Sequence, residues 1–221
     1  MVRRNRRAPK AKRATTKSVQ ALVRKELRKK VELKNNVVIS GASGIGVSST
    51  ARAINPLDYI QEGTTSNERD GDSIYLTGHS FRTQIEGADS PFNRMRLSLV
   101  QTRDPLPLGL TSTDYVAGTC FDPVYSSMGM NAPFDRAVVS RVYFDKVFNL
   151  QRNVDGIGLT GRDVIRTFNK FVKNHQKVIY KNNSTALGTT TNHIYFVYQS
   201  DSAIAPNPTL TYVMKSWYTD Q

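Results

Sequence analysis

After Asn35 the chain is written in period-two runs of apolar and polar side chains, broken by Gly, Pro, Asn and Asp, the pattern of half-buried β-strands. In 94–102 (RMRLSLVQT), Met95, Leu97 and Leu99 face one way, and Arg94, Arg96 and Ser98 the other. In 138–148 (VVSRVYFDKVF), Val138, Val142 and Phe144 alternate with Val139, Arg141, Tyr143 and Asp145. Ile194, Phe196 and Tyr198 oppose Tyr195 and Val197, while Leu210, Tyr212 and Met214 oppose Val213 and Trp217. With 37–40 (VVIS), 49–54 (STARAI), 73–86 (SIYLTGHSFRTQIE) and 176–182 (QKVIYKN), the pattern predicts about eight strands. Long loops separate them, above all 102–135. Only 161–174 (GRDVIRTFNKFVKN) departs: Val164, Ile165, Phe168, Phe171 and Val172 stand near helical spacing, which reads as a helix or a twisted strand. No repeat and no strand–helix alternation occurs, so the expected fold is all-β, an antiparallel two-sheet sandwich.

The first 34 residues follow other rules. Residues 1–17 carry almost no apolar side chains and many like charges, so nothing offsets the entropy of ordering them and the arm is expected to be disordered when free. From a Ser18 N-cap, 19–33 (VQALVRKELRKKVEL) repeats Val19, Val23, Leu27 and Val31 at i+4, predicting a short basic amphipathic helix. The expected organisation is therefore a basic arm over 1–34 and a β domain over 35–221.

Charge sharpens this division. The 221 residues carry a net charge of +13. Residues 1–34 hold 14 Lys/Arg against Glu26 and Glu32, or +12, whereas 35–221 hold 17 basic and 16 acidic residues, or +1. A flexible polycation neutralises phosphates and releases condensed counterions. The candidate nucleic-acid contacts are Arg3, Arg4, Arg6, Arg7, Lys10, Lys12, Arg13, Lys17, Arg24, Lys25, Arg28, Lys29 and Lys30. No aromatic residue lies among 1–34, so the arm reads charge and not bases. A solubilising tail or an import signal (RRNRR, KAKR) is the plainer reading and is compatible with phosphate binding.

Enzyme chemistry finds little support. In 37–46 (VVISGASGIG), Gly41, Gly44 and Gly46 are spaced G-x-x-G-x-G, which matches neither the dinucleotide fingerprint nor the short-chain dehydrogenase turn. No tyrosine has Lys four residues on, so 37–46 is expected to be a Gly/Ser turn between short strands. Ser43 lacks the following glycine of a nucleophile elbow, Ile45 standing there. His79, His175 and His193 are scattered without metal-ligand spacing, and the lone Cys120 is expected to be a packed small residue. Asp70 and Asp72 in NERDGDS look like an Asp-Gly turn, without the further acids of a calcium loop. With 38% hydrophobic residues the chain can bury a real core. No apolar run approaches the ~18 residues of a membrane span, and the polar N-terminus lacks a signal-peptide core.

Arm, helix and β domain together resemble a known layout. Residues 59–86 (YIQEGTTSNERDGDSIYLTGHSFRTQIE) are similar, through Ile60, Gln61, Gly63, Arg69, Gly71 and Asp72, to the segment opening the jelly roll in satellite tobacco necrosis virus-type coat proteins and the related capsids of circular Rep-encoding single-stranded DNA viruses. Glu62 is inserted within the usual Gln-Gly. Residues 93–104 (NRMRLSLVQTRD), 134–150 and the closing WYTDQ resemble further segments of that family, and the likeness spans most of 19–221.

The resemblance implies an eight-stranded jelly-roll capsid protein rather than an enzyme. It implies assembly as about 60 copies, with on the order of 700 arm charges facing a single-stranded DNA or RNA genome, and a place in the virion and in the host cytoplasm or nucleus during assembly. It also implies interface calcium held by the carbonyls of Asp70 and Ser73 and the carboxylate of Asp220, with Glu26 or Glu32 as a further donor. A second site of the family has an acid where Thr64 stands, so that site is not expected here. The alternative to the capsid is a cellular structural protein bound to nucleic acid, ribosomal or chromatin-associated, with a β domain and a basic tail.

Overall fold

A computed structural model describes residues 32–87, 92–109, 114–151, 165–180, 191–203 and 205–220. Residues 1–31 of the arm, which include the expected helix up to Val31, and the first residues of 161–174 lie outside them.

Ten strands follow in order: β1 (Lys34–Ile39), β2 (Ile45–Gly46), β3 (Arg52–Ile54), β4 (Ser73–Glu86), β5 (Phe92–Thr102), β6 (Tyr115–Val116), β7 (Val139–Gln151), β8 (Ile165–Ile179), β9 (His193–Ser200) and β10 (Thr209–Asp220). One sheet has the order β1-β10-β4-β8, with β2 also on β10; the other runs β6-β3-β9-β5-β7. Setting aside the two-residue β2 and β6, eight strands remain. They pair as nested antiparallel partners, first with last (β1 with β10), second with seventh (β3 with β9), third with sixth (β4 with β8) and fourth with fifth (β5 with β7). That nesting is a hairpin rolled on itself, the jelly roll.

Between the sheets lies the main core, with Ile74, Leu76, Phe81, Met95, Leu97, Leu99, Ile194, Phe196, Leu210 and Met214 all but inaccessible. The alternation expected for 94–102, β9 and β10 is the one observed. Phe81 stacks on Phe196, and Phe144 meets Phe81 edge-on. β9 is buried on both faces, because Tyr195 and Val197 join a second cluster with Leu106, Cys120, Phe121 and Ala132 on the back of the sheet. The segment between β5 and β7, which contains a 3-10 stretch at Pro123–Asn131, covers that back face. Arg96 therefore does not reach solvent. Its guanidinium lies over the Phe121 and Phe134 rings, donates 2.8 and 2.7 Å bonds to Asp145, and donates to the carbonyls of Met130 and Ala132.

One open reading is decided and one expectation corrected. Of the helix and the twisted strand that 161–174 allowed, the described residues take the strand: 165–174 join 175–179 in one fifteen-residue strand, β8. Phe168 packs against the main core and Val172 is buried, while Ile165 and Phe171 lie half exposed on the other face. The helical spacing came from superposing the apolar residues of two strand faces. In β7 a bulge lets Leu99 face Phe144 and Val100 face Val142, skipping Tyr143. This extra residue breaks the simple parity: Val139 is buried in the second cluster and Val142 is exposed.

Candidate functional site

The motif of 60–72 folds into a knot around Arg69, which is 2% exposed. Ile60 anchors its start in the core. Arg69 N–H donates to the Gln61 carbonyl, Gly63 N–H to the Arg69 carbonyl, and Glu62 and Arg69 form a parallel bridge. The guanidinium donates to the Gly71 carbonyl, approaches Glu62 Oε2 at 3.4 Å and lies 4.4 Å from the centre of the Tyr180 ring. At Gly63 the Glu68 carboxylate comes in close, and a Cβ there would fall 2.2 Å from it, so a larger residue would displace that side chain. The inserted Glu62 thus supplies Arg69 with a counter-charge.

Beside this knot the structure brings two of the three expected calcium positions together. Antiparallel pairing of β1 and β10 puts Lys34 opposite Tyr218, close to Asp220 at the end of the chain. The Lys34 ammonium, on a side chain 4% exposed, contacts Asp220 Oδ2 at 2.7 Å and Asp70 Oδ1 at 2.9 Å, and donates to the Glu68 carbonyl at 3.0 Å. Its three protons have three acceptors. Burial alone would lower the Lys34 pKa, but the bonds to Asp220 and Asp70 outweigh it and hold the lysine above its usual value. The hydrogen bond from Lys34 in turn holds Asp70 below the ordinary carboxylate range. Ser73 is the first residue of β4, opposite Ile179. A divalent ion shared by Asp70 and Asp220 would need the place of the ammonium. The Lys34 ammonium occupies the space between these two carboxylates, while Asp220 keeps its buried Oδ1 without a hydrogen-bond partner. Among the described residues no three His, Cys, Asp or Glu side chains converge as metal ligands.

The remaining candidates are structural in their surroundings. Residues 41–44 turn between β1 and β2, with Gly41 and Gly44 at φ of +86° and +67°, and no helix follows. A Cβ on Gly44 would meet Thr211 Oγ1 at 2.8 Å. Cys120 is fully buried, and burial pushes its thiol up to about 12. His79 is buried against Ser216 Oγ at 3.0 Å, and burial brings its pKa down to about 3. An open cavity of about 670 Å³ lies under 118–135, reaching Ser49 and Gln199. Its two carboxylates cap local turns, Asp122 accepting from Val124 N–H and Asp135 from Ala137 N–H. The described residues that line it include no histidine, lysine or arginine. The arm residues Arg3 to Lys30, and Glu26, lie outside the described residues.

No protein-family model and no curated protein matches the sequence. Among solved structures, the chain is similar to one from the cryo-electron microscopy structure of Mud Crab Dicistrovirus, at 11% identity over 97% of this chain and 77% of that one, with a TM-score of 0.26. It is likewise similar to a chain of the full particle of Israeli acute paralysis virus heated to 63 degrees, at 10% identity over 98% and 83%, with a TM-score of 0.25. Overlaps this loose establish neither a shared fold nor a shared role, and the jelly-roll assignment stands on the strand order alone.

Lys34 was the site residue that sequence reasoning missed. It ends the basic run and so reads as part of the arm, yet it stands where strand alternation begins, and that position is the signal available in the sequence. The partner carboxylates come from distant parts of the chain, and only the closing of β1 on β10 unites them.

Proposed function

We propose that this chain is the coat protein of a small icosahedral virus, self-assembling into a closed homo-oligomeric shell and packaging single-stranded nucleic acid through residues 1–34. The observation that carries this reading is the union of a nested eight-strand jelly roll with a charge of +11 on residues 1–33 against +2 on 34–221, where Lys34 belongs to β1. A near-neutral rigid sandwich can tile with copies of itself without self-repulsion, and the arm then concentrates positive charge on the polyanion. The Arg69 knot and the buried Lys34 ion pairs make the loop before β4 rigid enough to serve as a lateral contact. On this reading the protein resides in the virion, and an icosahedral shell with one subunit per symmetry position takes about 60 copies.

Deletion of residues 1–17 tests the arm. The truncated chain is expected to lose nucleic-acid content, read as the ratio of absorbance at the nucleic-acid and protein maxima in purified particles. Packaging as complete as that of the full chain would contradict the arm's role.

A further inference from the structure

One outer sheet face is left bare among the described residues. The back of the β6-β3-β9-β5-β7 sheet is covered by the segment between β5 and β7. The back of β1-β10-β4-β8 has no such cover, and its composition is unusual. Cross-strand partners share a face, so the register gives the rows directly. One row is Val37, Lys215, Ser80 and Phe171; the next is Asn35, Trp217, Gly78 and Lys173. Beyond a bulge at Thr77, Tyr75 faces Lys177, and in the other direction Val213 faces Arg82.

The face thus interleaves three aromatic rings, Trp217, Phe171 and Tyr75, with four cations, Arg82, Lys173, Lys177 and Lys215, against one carboxylate, Glu86, among the described residues. Phe171 is 50% exposed. The Lys215 ammonium sits 4.2 Å from the centre of the Trp217 ring, and Tyr75 stacks with His175. Between β10 and β8, β4 contributes Gly78 and Ser80 to this face. Gly78 has no room for a side chain, a Cβ meeting the Val172 carbonyl oxygen at 2.6 Å and Phe171 Cζ at 3.0 Å. The Phe171 ring thus lies over the buried Gly78 and keeps half its surface exposed, while Trp217 stands across β4 on the neighbouring strand, two strand spacings or roughly 10 Å away at the backbone.

The geometry points to this face as a stacking platform for single-stranded nucleic acid, its rings taking unpaired bases and its cations the intervening phosphates. The inference rests on the packaging reading and adds to it a second contact, one that touches bases where the arm touches charge alone. Charge complementarity selects the occupant. A second copy of the same face would set four cations against four, and the chain's own residues 1–33 would bring +11 toward a face already positive. A duplex offers phosphates but keeps its bases stacked on one another, whereas a single strand satisfies rings and cations together.

Trp217 is the only tryptophan in the chain, so its fluorescence reports on this face and not on the arm. The full-length protein, kept unassembled as checked by sedimentation, is titrated with a short oligothymidylate and, separately, with inorganic polyphosphate, following anisotropy of labelled ligand and tryptophan emission. Both polyanions are expected to bind, and only the oligonucleotide to quench Trp217. Phe171→Ser, at a half-exposed position, is expected to weaken oligothymidylate roughly tenfold, the scale of one lost base–ring stack, and to leave polyphosphate unchanged. Binding of both ligands with unaltered emission, and no discrimination by Phe171→Ser, would overturn the platform while leaving the arm in place. Emission already shielded from a neutral quencher in the free protein would give the face to a second copy or to the arm, and overturn it also. Failure of both ligands to bind would remove the packaging reading itself.

Discussion

Lys34 shows how a single side chain can close a fold. Its ammonium ties the first strand to the loop before β4 and to the last strand. Replacing it with Met would leave two carboxylates side by side, one largely buried, without their cation. Lys34→Met is expected to cost about 1–3 kcal/mol, less than a fully buried pair because Asp70 is more than half exposed, as measured by urea denaturation at neutral pH. Arg96 invites a sharper test. Its fork grips both Asp145 oxygens between two aromatic rings, so Arg96→Lys, which keeps the charge but not the planar fork, is expected to lose about 3 kcal/mol, nearly as much as Arg96→Met.

His79 gives the residue scale its pH dependence. Its folded pKa, held at about 3 by burial, lies below the value of 6.5 expected in the unfolded chain. Between these two values the unfolded chain binds a proton that the folded chain refuses, so stability falls as pH falls, by up to about 1.4 kcal/mol per pH unit. Asp70, also depressed, adds its loss only below about pH 4, as pH drops through its folded pKa. His79→Gln is expected to flatten the slope of unfolding free energy between pH 6 and pH 4 by about one proton. An unchanged slope would assign the acid sensitivity to other groups.

At the scale of elements, alternation was legible wherever a strand has one register throughout. Ile194, Phe196 and Tyr198 in β9, and Leu210, Tyr212 and Met214 in β10, lie on the face the sequence assigns them. Legibility failed where two faces are both apolar or where a residue is inserted. In β8 the main core takes Phe168 and Val172 while Phe171 belongs to the outer face, and no local periodicity separates them. In β4 the bulge at Thr77 moves the buried set from Ile74 and Leu76 to His79, Phe81, Thr83 and Ile85. The cover over β9 was equally hidden, because 102–135 reads as a plain loop until Phe121 and Phe134 close over Arg96. Gly78 marks the bulge. Gly78→Ala would drive a methyl into the Val172 carbonyl, and is expected to destabilise the domain by about 1–3 kcal/mol in urea denaturation.

For the whole molecule, the asymmetry of charge was legible from the first 34 residues, and the nested topology was legible only through the resemblance of short motifs in order. The candidate site divided the same way. Ile60, Gln61, Gly63, Arg69 and Asp72 stood out as a set, and the structure gathers them about Arg69; the role of Lys34 depended on a strand pairing that spans nearly the entire chain. The charged arm and the neutral sandwich are together the basis of the assembly claim, so the direct measurement is sedimentation of the full chain, with electron microscopy of the same fractions, in the presence of single-stranded nucleic acid. Uniform closed particles containing the nucleic acid are the expected result. Single subunits at every ionic strength, indifferent to the polyanion, would contradict it.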